Sequence, residues 1–215
     1  MPLKLYFNPV SSYSQKALLA LYEKGCPFEP TIINLMDPKD REAYRKVYPI
    51  AKVPFLRVEE KKLDLSEASV IIEYIDRHFP GGPKLLPDDP DQALQVRMLD
   101  RFFDLYINDS VTKIFFDGMR PEGKKDPFGV QQARERLDST YAFFEPQLAG
   151  RTWAAGDAFT MADCAAAPAL FYARMIHPFE AHKNVTAYFD RLMQRPSLQR
   201  VVKEAEPYLA MFNQQ

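Results

Sequence analysis

Apolar and polar positions fall into short runs in the first third of the chain and into long helical stripes after it. Leu3 to Phe7 is a short, mostly apolar run closed by Asn8-Pro9, which predicts a strand and a turn. From Ser12 to Lys24, Ala17, Leu18, Leu21 and Tyr22 share one face of a 3.6-residue period and Gly25 follows, so a helix stopped by glycine is expected. Phe28 to Leu35 holds the β-branched Thr31-Ile32-Ile33 and predicts a second strand. Lys39 to Val47 predicts a polar helix. Pro54 to Val58 and Lys62 to Leu65 flank Glu59-Glu60-Lys61 and predict a hairpin. Ser66 to Phe79 carries Val70, Ile71, Tyr74 and Ile75 at helical spacing. The order is β-α-β-α-β-β-α, whose opening implies a parallel strand pair and a right-handed crossover.

Pro80-Gly-Gly-Pro and Pro87-Asp-Asp-Pro bracket a linker, residues 81–90. Beyond it the periodicity is helical: Asp91 to Phe116, Val130 to Leu148, Met161 to Ile176, Val185 to Gln194 and Ser197 to Ala205. The expected architecture is an α/β domain of thioredoxin-like order over residues 1–80, followed by an all-α domain over residues 91–215. Gly156-Asp-Ala-Phe-Thr-Met-Ala-Asp163 adds a local detail: Thr160 and Asp163 have the spacing of a capping box at a helix start.

Composition narrows the function. The chain has 215 residues, 47% hydrophobic, with a net charge of -1. A sizeable core is available, and no basic excess exists to neutralise phosphates, so a nucleic-acid partner is not expected. The two cysteines, Cys26 and Cys164, supply neither a disulfide framework nor zinc spacing. His78, His177 and His182 never pair at i, i+3 or i+4, so no metal site is expected. Lys4, Asn8, Pro9 and the polar residues after Ser11 interrupt any signal-peptide core, and no apolar run approaches a membrane span. The expectation is a cytoplasmic protein with no membrane partner.

Three segments carry candidate chemistry. Val53-Pro54 stands just ahead of a strand. A cis bond there turns the neighbouring N–H and C=O outward to pair with an extended peptide, whereas a trans proline simply starts the strand. Glu67 lies one residue into a helix that Ser66 can cap. Its carboxylate either gains from the helix dipole or binds a ligand ammonium, while first-turn N–H groups take a ligand carboxylate. Ser11-Ser12-Tyr13-Ser14 lies between the first strand and helix, with serine at both positions of a Cys-x-x-Cys pattern, so this loop has no thiol for disulfide exchange. Its hydroxyls serve as helix caps or as donors to a ligand sulfur.

Lys52-Val53-Pro54 and Glu67 resemble the glutathione site of the cytosolic glutathione transferase family, and the likeness spans nearly the whole chain. Pro49-Ile-Ala-Lys-Val-Pro-Phe-Leu is similar to that family's N-P-x-x-x-V-P-x-L segment. Leu65-Ser-Glu-Ala-Ser-Val-Ile-Ile-Glu-Tyr-Ile is similar to its x-x-E-S-x-x-I-x-x-Y-L helix. The resemblance implies that Val53 and Pro54 present the edge that pairs with the cysteinyl backbone of glutathione, that Glu67 holds the γ-glutamyl end, and that Lys52 lies near the glycine carboxylate. One position departs: Ala68 stands where the family usually has serine, which removes a hydroxyl contact worth on the order of 1 kcal/mol.

By the same resemblance, a serine hydroxyl near the start of the first helix stabilises the glutathione thiolate. Lowering a thiol pKa from ~8.5 to ~6.5 raises its ionised fraction at pH 7 from about 3% to about 75%. The spacing Ser11-x-x-x-x-Lys16 favours Ser11, a shifted register favours Ser12, and Tyr6 is the third candidate hydroxyl. Phe102, Phe103, Tyr106, Phe115 and Phe116 crowd the long helix. Tyr106 is the expected member of the electrophile pocket, because its hydroxyl wants a polar partner. The implied protein is a serine-type glutathione transferase, of the zeta, phi or theta kind, that serves detoxification. It would be a homodimer that uses glutathione as co-substrate, no metal, and a hydrophobic electrophilic small molecule. A maleylacetoacetate isomerase-like enzyme and a non-catalytic binding or regulatory protein are the alternatives. Tyr13 departs from the Ser-Ser-Cys run of the zeta class, and Ala68 leans towards the non-catalytic reading.

Overall fold

The computed structural model describes residues 3–212. Its elements are β1 (Leu3–Phe7), α1 (Ser12–Glu23), β2 (Glu29–Ile32), α2 (Pro38–Arg45), β3 (Phe55–Val58), β4 (Leu63–Ser66), α3 (Ala68–His78), α4 (Pro90–Phe102), α5 (Asp109–Gly118), α6 (Pro127–Gln147), α7 (Met161–Ile176), α8 (Lys183–Met193) and α9 (Pro196–Phe212). One 3-10 turn, Glu59–Lys61, joins β3 to β4, and a π-helical turn, Phe103–Asn108, joins α4 to α5.

The strands form one sheet in the order β2-β1-β3-β4. β1 and β2 pair in parallel, as the β-α-β opening requires, and β3 runs antiparallel to both β1 and β4. β1 is an inner strand with both faces covered, which is why its run is apolar rather than alternating. Leu3 and Leu5 face Val58 and Leu56 in register on one side, all of them buried. Tyr6 and Phe55 share the other side, where they cluster with Ile33 and with Tyr44 of α2.

The chain divides into two compact units. One runs to Leu85 and takes in the residues from Pro196; the other is Leu86–Arg195. The boundaries expected from sequence shift accordingly, for two reasons. Residues 81–85 are not a free linker. Gly82 has φ 67°, and a Cβ there would lie 1.9 Å from the Glu23 carbonyl oxygen, so two backbones touch at this point. Lys24 and Asp76 form a pair 3.0 Å apart whose side chains are 3% and 6% exposed. The lysine also donates to the Pro83 carbonyl, and the aspartate accepts the Leu85 N–H. The chain closes over a buried charge pair, accepting from the ammonium and donating to the carboxylate.

The second shift concerns α9, expected within the helical domain but packed against α1. The Tyr22 hydroxyl donates to Glu204 at 2.6 Å, and the Ser197 hydroxyl donates to Glu23. Periodicity reports which face of a helix is apolar and not what covers it. α9 also outruns its expected end at Ala205 and continues past Pro207.

Inside the second unit, the capping box at the start of α7 forms as expected: the Thr160 N–H and hydroxyl donate to the Asp163 carboxylate at 2.8 and 3.1 Å. The same carboxylate takes the Ala154 N–H at 2.8 Å and the Tyr188 hydroxyl at 2.7 Å. Asp163 is fully buried. Burial pushes its carboxyl up from the usual range, against the pull of the donors from Ala154, Tyr188 and Thr160.

Candidate functional site

The loop between β1 and α1 is fixed by Asn8. Its side-chain amide donates to the Ile33 carbonyl at 2.8 Å, its side-chain oxygen accepts the Val10 N–H at 3.0 Å, and its own N–H donates to Ser14 Oγ at 3.2 Å. Gln15 donates to the Pro9 carbonyl at 2.8 Å from a buried position. Ser14 is thereby held inward, fully buried, so of the two serines at the Cys-x-x-Cys positions only Ser11 is partly accessible.

Ser11 is the N-cap of α1, with φ -76° and ψ 119°, and its Oγ accepts the Ser14 N–H at 3.4 Å. Capping uses a lone pair and leaves the hydroxyl proton to donate elsewhere. Ser12 opens the first turn and is partly exposed. Tyr6 sits apart from both: it is 8% exposed, with its ring stacked on Tyr44 at 5.8 Å and tilted against Phe55.

The Val53-Pro54 peptide bond is cis. Val53 is partly buried and lies two residues before Phe55, the first residue of β3, which is in register with both β1 and β4. Its peptide therefore stands at an open end of the sheet. The Lys52 side chain is exposed, and its carbonyl accepts the Tyr44 hydroxyl at 2.8 Å, which ties the approach to Val53 onto α2.

At α3 the structure corrects the expected start. Ser66 ends β4, and Glu67 is itself the N-cap rather than the first residue inside the helix. Glu67 adopts φ 70° and ψ 118°, a region that costs a non-glycine residue roughly 1–3 kcal/mol. The carboxylate makes no capping bond, and the residue is exposed, so the side chain does nothing locally to offset that strain. Two residues later, Ser69 does not replace the missing hydroxyl of Ala68. Ser69 Oγ accepts the ammonium of Lys16 at 2.9 Å, and Lys16, 1% exposed, reaches it from α1. Ala68 is buried, and the first-turn N–H groups of α3 remain the donors at this end.

The sequence reading overlooked Asn8, Gln15 and Lys16 as the residues that hold this region. Asn8-Pro9 signalled a turn, but the contacts of Asn8 to β2 and α1 depend on packing between elements.

In the second unit, Tyr106 lies on the π-helical turn and is 45% exposed. The Ser110 hydroxyl donates to the Tyr106 carbonyl at 2.8 Å, and the Tyr106 ring lies 4.5 Å from that of Phe102. Phe102, Tyr106 and Phe143 line a cavity of about 390 Å³ whose polar margin includes Arg136 and Ser139. Such wide turns recur at functional sites because they shift the helix register and turn one side chain out.

Both cysteines are buried, and burial pushes the Cys26 thiol up to about 11. At pH 8 such a thiol is only about 0.1% ionised. Ellman's reagent is expected to react with the folded protein far more slowly than with the urea-unfolded chain; rapid titration of one thiol in the folded state would contradict this burial. Among the described residues no group of three or more His, Cys, Asp or Glu is placed to hold a metal ion. No helix among them is long and apolar enough to cross a membrane.

Residues 5–83 match the family model of the glutathione S-transferase N-terminal domain, and residues 105–196 match that of the C-terminal domain. The chain is 36% identical over 165 residues to a glutathione S-transferase of Pseudomonas putida, covering 75% of this chain and 70% of that one. It is 29% identical over 210 residues to the stringent starvation protein A homolog of Coxiella burnetii, covering 95% and 93%. A solved glutathione S-transferase from Methylobacterium radiotolerans, in complex with glutathione sulfonate, superposes with a TM-score of 0.81 at 29% identity, covering 94% and 95%. The chain belongs to the glutathione S-transferase family.

Proposed function

We propose that the first unit binds glutathione along Val53, Pro54 and the start of α3, and that the Ser11 hydroxyl donates a hydrogen bond to the bound sulfur, which favours the thiolate once the thiol proton has left to water. The thiolate then adds to an electrophilic carbon of a hydrophobic small molecule. The observation that carries this reading is Glu67: an exposed carboxylate, free of any capping bond, held at φ 70° beside first-turn N–H groups. An α-amino acid end carries an ammonium and a carboxylate side by side, and this helix start offers a partner for each. Val53 supplies an unpaired peptide edge for the cysteinyl segment, Lys52 lies towards the glycine carboxylate, and Ala68 contributes only backbone. The complex of the Methylobacterium relative with a glutathione derivative supports the choice of ligand.

Ser11 activates the sulfur in this reading because it combines accessibility, the helix N-terminus and a spare proton; Ser12 is the neighbouring hydroxyl and Tyr6 is enclosed. Tyr106 and the cavity beside it supply the aromatic surface for the electrophile. The protein acts as a cytoplasmic homodimer.

The test is calorimetric titration with glutathione followed by turnover of 1-chloro-2,4-dinitrobenzene; no binding at millimolar glutathione would end the enzyme reading. Ser11→Ala is expected to lower kcat roughly 10–100-fold, the loss of one hydrogen bond to a charged group. It should also raise the apparent pKa in the pH–rate profile and cost about 1 kcal/mol of stability through the lost cap. An unchanged profile would transfer the role to Ser12. A second reading, a binding or regulatory protein on this fold, is favoured by Ala68 and by the likeness to the stringent starvation protein A homolog. The same titration separates it from the first. Isomerisation of enoyl diketo acids, set against aryl halide conjugation, distinguishes a glutathione-dependent isomerase.

A further inference from the structure

A cavity in the first unit is lined by none of the residues assigned to glutathione. It has a volume of about 610 Å³ and is bounded by the end of α1, by β2, by α9 and, through Phe7 and Pro9, by the end of β1 and the loop that follows it. None of Ser11, Ser12, Lys52, Val53, Pro54, Glu67 or Ala68 lines it. In the sheet order β2-β1-β3-β4 it borders the β2 edge, whereas the glutathione residues stand at the ends of β3 and β4 and at the start of α1. Its size falls within the range of small-molecule sites, roughly 300–1,000 Å³.

The lining defines a chemistry. Phe28, Ile32 and Tyr208 provide apolar and aromatic wall, and Ile32 is 46% exposed on an edge strand. At the polar corner, Tyr22 donates to one oxygen of Glu204 at 2.6 Å and Arg200 Nε donates to the other at 2.9 Å. The Arg200 guanidinium lies 3.9 Å over the Tyr22 ring, so the corner is assembled from both α1 and α9. Arg200 and Glu204, the charged residues in the lining, neutralise each other there, so a charged ligand would find no counter-charge. The Glu204 oxygens still have lone pairs for an O–H or N–H from a ligand.

We propose that this cavity is a second binding site, taking uncharged, ring-bearing small molecules with a hydroxyl or amine donor, of the naphthol or indole class. The ring lies against Phe28, Ile32 and Tyr208, and its donor points to Glu204. The site is independent of the glutathione site, so it stands or falls separately from the transferase reading.

The experiment is calorimetric titration of the full chain with 1-naphthol, alone and with saturating S-hexylglutathione. Saturable one-to-one binding is expected, with a dissociation constant on the order of tens of micromolar, unchanged by S-hexylglutathione. Ile32→Lys, tolerable on an exposed edge strand, is expected to weaken naphthol at least about tenfold while leaving glutathione affinity and melting temperature in place. Tyr208→Ala, on partly exposed α9, provides the second variant and is expected to act in the same direction. No saturable binding to the wild-type chain, displacement by S-hexylglutathione, or full affinity in both variants overturns the proposal.

Discussion

Glu67→Gly is expected to strengthen the fold and at the same time abolish tight glutathione binding. The two effects have separate origins. Glu67 sits at φ 70° with its side chain exposed and without a capping bond, so the fold carries the strain of a non-glycine backbone and gets no local bond in return. Glycine removes that penalty of roughly 1–3 kcal/mol and adds about 0.5–1 kcal/mol of unfolded-chain entropy, a net gain near 1 kcal/mol. In the proposed site, losing the carboxylate removes a charge-assisted bond to the ligand ammonium, worth about 1.5–3 kcal/mol, or roughly 10–100-fold in affinity. Glu67→Ala separates the two effects: it should lose the same affinity without the gain in stability, because alanine keeps the strain. Urea unfolding and glutathione calorimetry on the three proteins check this. Full affinity in both variants would show that the helix start is not the γ-glutamyl site.

Asp163→Asn is expected to cost about 3 kcal/mol, more than most isosteric changes and a large part of a usual domain stability of ~5–15 kcal/mol. One carboxylate oxygen accepts the Ala154 N–H and the Tyr188 hydroxyl, and the other accepts the Thr160 N–H and hydroxyl. All four partners donate. The hydroxyls can rotate but the two backbone N–H groups cannot, so whichever way an asparagine amide turns, one N–H faces an NH2 in a site without exposure. Tyr188→Phe removes a single donor and should cost only about 1 kcal/mol. The measurement is the shift in urea midpoint at constant m-value; a loss below 1 kcal/mol for Asp163→Asn would mean the site rearranges around the amide.

Much of this architecture was legible because local rules and packing agreed. β1, α1, α7 and the hairpin of β3 and β4 fall where periodicity, turn residues and the Thr160–Asp163 spacing put them. The start of α3 was misjudged by a residue. Serine is a favoured cap, and nothing local indicates that Ser66 would be kept in the sheet by pairing with Phe55, which pushes the cap onto Glu67. Of the hydroxyls near the first helix, the sequence offered three without ranking them by access. Burial ranked them: Tyr6 is enclosed by Tyr44 and Phe55, whereas Ser11 and Ser12 are partly exposed.

The sequence by itself determined the family, the α/β-then-helical order and the residue types at the glutathione-like site, since each rests on spacing within one segment or on motif likeness. Only the tertiary structure decided which helix α9 covers, that residues 81–85 close over the Lys24–Asp76 pair, and that Lys16 of α1 reaches Ser69 of α3. It alone also revealed the cavity between β2 and α9. These features depend on side chains brought together from distant parts of the chain, 182 residues apart for Tyr22 and Glu204, and no local pattern encodes such a meeting.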